Sequence, residues 1–233
     1  MENAIKYRNI TKYLQEKLIL NDITFDIFSN EITAFLGPNG AGKTTTLKVG
    51  AGLLNVDSGN ITFNNEPINK NKDVMFISDT PLLYEDLTAI EFIQFIIELF
   101  SIKVSKENLR EYIQMFQLGN ELNKPLSSYS LGMKKKVILL SFLLRNPKVL
   151  LLDEFISGID PINLRIVKQM LKEFASKGNI VLLSTHQLEV AQSFCDRVIL
   201  INDGNIVNKG INVSEITGSN RTLEDFFIES VYG

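Results

Sequence analysis

Apolar and polar residues alternate in two segments near the start of the chain, Ile5–Tyr7 and Ile23–Ile27. A period of two residues is typical of a half-buried strand, because successive side chains point to opposite faces of a sheet. The next segment, Ile32–Leu36, is mostly apolar and β-prone, which predicts a parallel strand that is covered on both faces. A short strand pattern follows at Ile61–Phe63.

Strand and helix patterns alternate in the second half of the chain. Apolar, β-prone runs recur at Val149–Leu152, Ile180–Leu183 and Val198–Ile201. Helical patterns over residues 162–177 and 187–195 separate these runs. Strands that alternate with helices predict an α/β fold with a doubly wound, mainly parallel sheet.

Between these regions the apolar spacing becomes helical. Over residues 86–116, one helical face carries Ile93, Ile96, Ile97 and Phe100. We interpret this region as part of a mainly helical insert over about residues 80–147. We expect the insert to belong to one domain that covers residues 1–233.

A glycine-rich segment joins Ile32–Leu36 to the next helical pattern. It reads Gly37-Pro38-Asn39-Gly40-Ala41-Gly42-Lys43-Thr44 and is followed by Thr45. The spacing matches the phosphate-binding loop G-x-x-x-x-G-K-[ST], between a buried strand and a helix as that motif requires. Glycines let backbone N–H groups approach an anion, Lys43 would reach the outer phosphates, and the Thr44 hydroxyl would bind Mg²⁺. The alternative is a glycine-rich turn that caps a helix, and the loop alone would fit a GTPase, a kinase or many ATPases.

The helix after this loop is predicted to run through Leu53, so that Gly50 and Gly52 lie near its end. A glycine inside a helix costs about 0.8–1 kcal/mol relative to alanine. We therefore expect close packing against the sheet to explain both glycines.

Two adjacent acids, Asp153 and Glu154, directly follow the strand pattern Val149–Leu152. In open α/β sheets, ligands bind at the carboxyl ends of the strands. Asp153 is therefore a candidate Mg²⁺ contact, through water, and Glu154 is a candidate for the carboxylate that polarises the attacking water beside a γ-phosphate. The alternative is a strand followed by an acidic helix cap, and the phosphate loop favours the catalytic interpretation.

Composition narrows the classes of function. The 233 residues, of which 45% are hydrophobic, suffice for one well-cored α/β domain. A net charge of −3 gives no positive field for a polyanion, so we expect no nucleic-acid partner. The single cysteine, Cys195, and the absence of a secretion-signal pattern favour a reducing cytoplasm. Since no run approaches the roughly 18 apolar residues of a membrane span, we expect any membrane contact to come through a partner.

The segment before the acid pair reads YSLGM at residues 129–133. It resembles the signature segment of ABC (ATP-binding cassette) proteins, usually LSGGQ, with Ser130 and Gly132 in their places. The departures from the usual letters are Tyr129, Leu131 and Met133. A serine at a helix start beside a glycine makes an anion site, which in this family serves the ATP of the opposite subunit. An ordinary capped helix is the alternative.

Other landmarks of the family follow in order. Ser157–Asp160 resembles the D-loop, and His186, the only histidine, resembles the switch histidine that contacts the γ-phosphate. Tyr13 resembles the aromatic residue that stacks on adenine, although an isolated tyrosine also fits simple packing.

Asp79 lies where the family carries its Q-loop glutamine. An acid can still reach Mg²⁺, but aspartate lacks the amide donor and is one methylene shorter. We therefore expect Asp79 to contact the metal only weakly or through water. The run Lys134–Lys136 is interpreted as a solvated helix face, with lipid headgroups as an alternative contact.

The resemblance covers about residues 3–230 and implies a P-loop NTPase core, an N-terminal antiparallel β subdomain and an inserted α-helical subdomain. It also implies ATP and Mg²⁺ as cofactors. Two cassettes would pack head to tail, either as a homodimer or with a distinct partner cassette. Leu223–Ile228 and Tyr84–Thr88 resemble exporter-type subunits, which include those of bacitracin- and lantibiotic-resistance transporters. This implies an ATP-hydrolysing subunit at the cytoplasmic face of the membrane that energises export through a separate permease.

Two other classes stay open. Soluble ABC ATPases of DNA repair, chromosome structure or translation share the motifs, but they usually carry long coiled coils, large insertions or two cassettes, which this sequence lacks. A catalytically inactive regulator would have lost catalytic residues, whereas every catalytic position except Asp79 is intact here. The sequence does not indicate what is carried.

Overall fold

The computed structural model describes residues 4–68, 73–80, 83–218 and 221–232. Its strands are β1 (Ala4–Leu14), β2 (Lys17–Phe28), β3 (Ile32–Leu36), β4 (Ser58–Phe63), β5 (Glu66–Pro67), β6 (Val74–Ile77), β7 (Val149–Asp153), β8 (Ile180–Thr185), β9 (Arg197–Asn202) and β10 (Asn205–Asn212). Its helices are α1 (Lys43–Gly50), α2 (Ala89–Leu99), α3 (Lys106–Met115), α4 (Leu131–Leu143), α5 (Pro161–Ser176), α6 (Leu188–Phe194), α7 (Val213–Thr217) and α8 (Leu223–Tyr232), with a 3₁₀ turn at Leu126–Ser128.

The chain divides into two compact units. Unit 1 comprises Met1–Asp79, Lys148–Ser157 and Lys172–Gly233, and it contains both β-sheets. Unit 2 comprises Thr80–Pro147 and Gly158–Leu171, and it contains α2, α3 and α4.

The larger sheet of unit 1 is mainly parallel, which confirms the predicted α/β class. Its strand order is β10-β9-β3-β8-β7-β6, and only β10, at one edge, runs antiparallel to its neighbour. β3, β7 and β8 are completely buried, as their apolar sequences predicted. Because β8 lies between β3 and β7, Leu36 pairs with Thr185 and Asp153 pairs with Ser184. The end of β3, from which the glycine-rich loop leaves, therefore lies one strand away from the acid pair.

The smaller sheet is antiparallel, with the order β2-β1-β4-β5, as the family resemblance implied. Its buried face carries Tyr7 and Phe25, whose stacked rings lie 4.3 Å apart between centroids. Phe25 in turn stacks at 5.5 Å on Phe35 of the larger sheet. One hydrophobic core therefore extends across both sheets of unit 1.

The sequence pattern did not predict β6 and β10. β6 has only four residues, which is too short to show a period. β10 is an edge strand whose residues are half-buried or exposed, so its sequence NIVNKGIN lacks the apolar run of a covered strand.

α1 ends three residues earlier than predicted. The amides of Gly52 and Leu53 donate to the carbonyls of Val49 and Lys48, and these bonds close the last turn of the helix. Gly52 therefore lies beyond the helix, with a φ of +68°. Only Gly50 is helical, and its Cα faces Tyr7 and Leu151 so closely that a side chain would not fit. The expectation of close packing is therefore confirmed for Gly50 and is wrong for Gly52.

Unit 2 is helical over the region where the apolar spacing predicted it. α2 begins at a capping box in which the Thr88 hydroxyl and the Glu91 carboxylate each accept from the other residue's amide. On the predicted apolar face, Ile93 is buried, whereas Phe100 is 44% exposed and its ring lies under the Arg145 guanidinium at 4.0 Å. None of the helices in the described part of the chain is long and apolar enough to span a bilayer.

Candidate functional site

The glycine-rich loop of unit 1 wraps the start of α1. Gly42, the residue before the helix, has a φ of +106°, which L side chains rarely adopt, and a Cβ there would lie 2.8 Å from Leu20 Cδ2. Ala41 is buried and ties the loop to its surroundings, since its amide donates to Pro38 O and its carbonyl accepts from the Gly204 amide. These two backbone hydrogen bonds therefore anchor the loop at Ala41.

A cavity of about 360 Å³ opens over this loop. Its lining residues are Lys17, Ile19, Asn39, Gly40, Gly42, Lys43, Thr44, Thr45 and Glu154. The structure thus brings the predicted loop residues together with one of the two predicted acids. Amide groups at a helix start, beside a lysine, form a site suited to phosphate groups.

Lys43 lines this cavity and is buried. Its ammonium group donates to the carbonyls of Gly37 at 2.7 Å and Pro38 at 3.1 Å, and it lies 3.9 Å from Glu154 Oε1. Burial lowers the pKa of Lys43, and the nearby carboxylates of Glu154 and Asp153 oppose that shift. The carboxylates therefore help to keep the Lys43 side chain in its charged ammonium form, at the place where the outer phosphates would lie.

Asp153 accepts two hydroxyl hydrogen bonds. Thr44 Oγ1 donates to its Oδ2 at 2.7 Å, and Ser184 Oγ donates to its Oδ1 at 2.6 Å. Asp153 is only 4% exposed. A threonine hydroxyl that donates its proton to a carboxylate keeps its lone pairs available for a cation.

This donor set fits Mg²⁺. The hydroxyl of Thr44 and the carboxylate of Asp153 are hard oxygen ligands, and Mg²⁺ in nucleotide sites takes one or two protein oxygens besides water and phosphate. Among the residues that the structure describes, no cluster of three or more His, Cys, Asp or Glu residues forms an all-protein metal cage.

Glu154 lies beside Asp153 with a φ of +45°, outside the extended conformation of β7. Its Oε2 accepts from Ser157 Oγ at 3.2 Å and lies 2.9 Å from His186 Nδ1. The His186 side chain is 58% exposed, so this pair faces the solvent-accessible side of the site. The two residues predicted to be catalytic are thus in direct contact.

Tyr13 and Asp79 lie at exposed positions of unit 1. Tyr13 is 48% exposed near the end of β1, where its amide donates to Asp57 Oδ2 at 2.6 Å. Asp79 follows β6 by two residues, and β6 pairs with β7, the strand that ends in Asp153. Adenine stacking by Tyr13 and weak metal contact by Asp79 stay predictions. In the segment around Asp79, residues 81–82 lie outside the described residues.

The signature residues belong to unit 2. Ser130 caps α4, with its hydroxyl accepting from the Met133 amide at 3.3 Å. A Cβ on Gly132 would lie 2.8 Å from Asp160 Oδ2 and 2.9 Å from Asn163 Cβ, so only glycine fits beside the start of α5. The role of Ser130 and Gly132 in nucleotide binding stays a prediction.

The interpretation of Lys134–Lys136 as a solvated face is wrong for two of the three lysines. Lys135 and Lys136 are only 2% and 4% exposed, because α4 is buried around most of its circumference. Burial lowers the pKa of Lys136, against the opposing effect of Asp160 and Glu121. Lys134 pairs with Glu85 at 2.6 Å. A run of charged residues predicts solvent exposure only where the helix has a face that nothing packs against.

Sequence reasoning missed three residues of the site. Lys17 and Ile19 line the cavity from β2, and Ser184 bonds to Asp153 from the end of β8. None of them lies in the loop or the acid pair, and their proximity depends on strand order. The sequence signal for Ser184 is the pattern Ser184-Thr185-His186, in which the family resemblance identifies only the histidine.

A parallel sheet with a phosphate loop between β3 and α1, and with an acid pair at the end of β7, defines the chain as a P-loop nucleotide-binding protein. The model of the ABC transporter family matches residues 20–157. The chain therefore belongs to the ABC transporter family, and it is an ATP-binding domain of that family. Domains of this family are generally ATPases.

Comparisons with individual proteins agree with this family. The chain is 30% identical to the lantibiotic transport ATP-binding protein SrtF of Streptococcus pyogenes, over 96% of this chain and 95% of that protein. It is also 30% identical to the bacitracin transport ATP-binding protein BcrA of Enterococcus faecalis, over 97% of this chain and 75% of that protein. Among solved structures, a nucleotide-free ATP-binding cassette from an ABC transporter superposes with a TM-score of 0.84 at 25% identity, covering 100% of both chains.

Proposed function

We propose that this chain hydrolyses ATP to ADP and phosphate as the energising subunit of a membrane exporter, at the cytoplasmic face of the membrane. The observation that supports hydrolysis is that Lys43, Thr44 and Glu154 line one cavity, where Thr44 bonds to Asp153 and Glu154 lies against His186. The names of SrtF and BcrA, both transport ATP-binding proteins, support transport, and the likeness of Leu223–Ile228 and Tyr84–Thr88 to exporter-type subunits supports export. We further propose that residues 1–233 form one nucleotide-binding domain with its helical insert over about 80–147.

The chemistry is phosphoryl transfer to water, in which the protein positions groups and neutralises charge. Residues 37–45 would hold the phosphates through backbone amides, with the Lys43 ammonium on the outer ones. When bound between Thr44 and Asp153, Mg²⁺ would supply positive charge against the phosphate oxygens.

Glu154 would orient the attacking water and accept its proton, because its carboxylate lies on the cavity wall beyond the loop. His186 lies 2.9 Å from that carboxylate and can bond to the γ-phosphate while it keeps Glu154 oriented. Tyr13 would stack on the adenine ring. Asp79 would reach the metal only weakly or through water.

We also propose that the site is completed by a second copy of the chain. Ser130 and Gly132 at the start of α4 would bind the γ-phosphate held by the loop of the opposite copy. In such a pair the two copies are related by a two-fold axis, and the loop of each copy faces the signature segment of the other. One chain can therefore supply both halves. A distinct partner cassette is the alternative.

Turnover per subunit is therefore expected to rise with protein concentration, because a monomer lacks donors on one side of the γ-phosphate. Steady-state phosphate release should be measured from dilute to concentrated enzyme, starting from a sample shown to be monomeric. A flat dependence would contradict the shared site.

Complementation between two inactive variants sharpens this test. Lys43→Ala removes the loop half of a site, and Ser130→Arg removes the signature half. An equal mixture is expected to recover roughly a quarter of the wild-type rate, since half of the dimers are mixed and each mixed dimer holds one intact site. If neither variant is rescued in the mixture, the sites are not shared between copies.

The partner for transport is proposed to be a separate permease that contacts unit 2. Leu99 is 58% exposed and Tyr84 is 61% exposed, and the Tyr84 ring packs edge-on against Phe95 at 5.3 Å. An exposed apolar cluster of this kind fits a short helix of a membrane protein.

A pull-down of the tagged Glu154→Gln chain from detergent-solubilised source membranes with ATP is expected to recover a stoichiometric multi-span protein. Leu99→Glu should weaken the recovery, whereas Leu53→Glu, at a leucine that is 61% exposed in unit 1, should not. Recovery of soluble or ribosomal partners alone would instead favour a soluble mechanical ATPase.

A further inference from the structure

Ser184 lies between the two acids of the site and contacts both. Its hydroxyl donates to Asp153 Oδ1 at 2.6 Å and accepts from the Glu154 amide at 3.0 Å. The Glu154 amide also donates to the Ser184 carbonyl at 3.1 Å. One residue on the neighbouring strand therefore fixes the side chain of the first acid and the backbone of the second.

The parallel pairing of β7 and β8 sets this arrangement. Asp153 and Ser184 are register partners, and Ser184 is completely buried. A buried hydroxyl whose donor and acceptor functions are both used has one orientation. Ser184 is therefore a rigid contact for Asp153.

The contact between Ser184 and Asp153 also fixes the position of the second carboxylate oxygen, Oδ2. With Oδ1 held by Ser184, the carboxylate presents Oδ2 to the Thr44 hydroxyl at 2.7 Å. Rotation of the carboxylate would break both bonds at once. Ser184 of β8 thus fixes Asp153 Oδ2 beside Thr44 Oγ1, and these are the two oxygens suited to Mg²⁺.

Thr185, the next residue, is also completely buried but has a different contact. Its hydroxyl accepts from the Gln187 amide at 3.0 Å, which shapes the turn that carries His186. Burial of a hydroxyl at this end of β8 therefore does not by itself create a bond to the acids. The contact with both acids belongs to Ser184.

We propose that Ser184 is a positioning residue that orients Asp153 for the metal of Mg²⁺–ATP and holds the backbone that carries Glu154. The inference rests on the proposed function, because it assigns Ser184 to the same nucleotide site. Ser184 does not touch ATP. It acts through the two acids.

The test is the gain in nucleotide affinity that Mg²⁺ provides. Binding of the fluorescent analogue mant-ATP to the full chain is titrated with excess EDTA and with saturating Mg²⁺, for the wild type, Ser184→Ala and Ser184→Cys. Ser141→Ala is the matched control, because Ser141 is also a buried serine and its hydroxyl donates to Val137 O within its own helix. Thermal unfolding of every variant is measured in parallel.

Ser184→Ala is expected to reduce the affinity gain from Mg²⁺ by about tenfold, since a hydrogen bond to a charged group is lost. Affinity in EDTA should stay within about twofold of the wild type, because the loop and Lys43 are unchanged. Ser184→Cys keeps the volume but donates weakly, so it should resemble Ser184→Ala. Ser141→Ala should keep the full gain.

An unchanged Mg²⁺ gain in Ser184→Ala, with a lower Tm, would show that Ser184 only supports the fold and would overturn the inference. A Ser184→Cys variant that behaves as the wild type would overturn it as well, since filled volume would then be the cause. If the wild type binds mant-ATP without any response to Mg²⁺, the magnesium site of the proposed function fails, and this inference fails with it. If the wild type does not bind mant-ATP at all, the proposed function itself fails.

Discussion

Glu154→Gln is expected to lower ATP turnover by at least about a hundredfold, because proton transfer by a positioned side chain contributes about 10²–10⁴ in rate. Glutamine keeps the shape of the side chain and can still bond to His186 and Ser157. It cannot accept the proton of the attacking water. Phosphate release under single-turnover conditions would measure this effect directly.

ATP binding should survive in the same variant, since Lys43 and the loop are unchanged, and affinity should stay within about threefold of the wild type. Glu189→Gln is the matched control, because Glu189 is an exposed acid three residues after His186 and should give nearly wild-type turnover. Turnover above about a tenth of the wild-type rate in Glu154→Gln would show that another group activates the water.

Gly50→Ala is expected to destabilise the protein by about 2–3 kcal/mol, which is typical of overpacking a well-filled core. The added Cβ would overlap the hydroxyl oxygen of Tyr7 and lie 3.0 Å from its Cζ. Tyr7 is completely buried and stacks on Phe25, so it has little room to move. Thermal or denaturant unfolding should show a Tm lower by about 5–10 °C.

Two further variants identify the cause of this loss. Tyr7→Phe removes the overlapping oxygen, so the double variant Gly50→Ala/Tyr7→Phe should be less destabilised than the sum of the single variants. Gly119→Ala is the control, because no atom beyond those of Gly119 and its two chain neighbours lies within 4 Å of the Cβ position there, and it should be nearly neutral. Additive single effects would place the strain of Gly50→Ala elsewhere.

The local patterns in the sequence were sufficient for much of the fold. β3, β7 and β8 are buried on both faces, and that burial requires the continuous apolar runs from which they were predicted. Edge strands have no such requirement, which is why β10 was not predicted. The lysines of α4 were misinterpreted for a related reason, because whether a helix has an open face depends on what packs around it.

The residues of the candidate site likewise differ in whether the sequence could predict them. Residues 37–45 and the pair Asp153–Glu154 are contiguous in sequence, so their chemistry could be predicted from spacing alone. Ser184 is 31 residues from Asp153, and its contact exists only because β8 pairs with β7 in one register. Lys17 likewise reaches the cavity from β2. Residues that strand order brings to the site can be identified only from the structure.

His186 has a practical consequence as the only histidine of the chain. Its ring lies 2.9 Å from the Glu154 carboxylate and is mostly exposed. In an untagged sample, the imidazole signals of a proton NMR spectrum therefore come from one residue, and that residue lies in the candidate catalytic pair. The chain thus carries a native spectroscopic reporter, which can follow changes at Glu154 without any label being introduced.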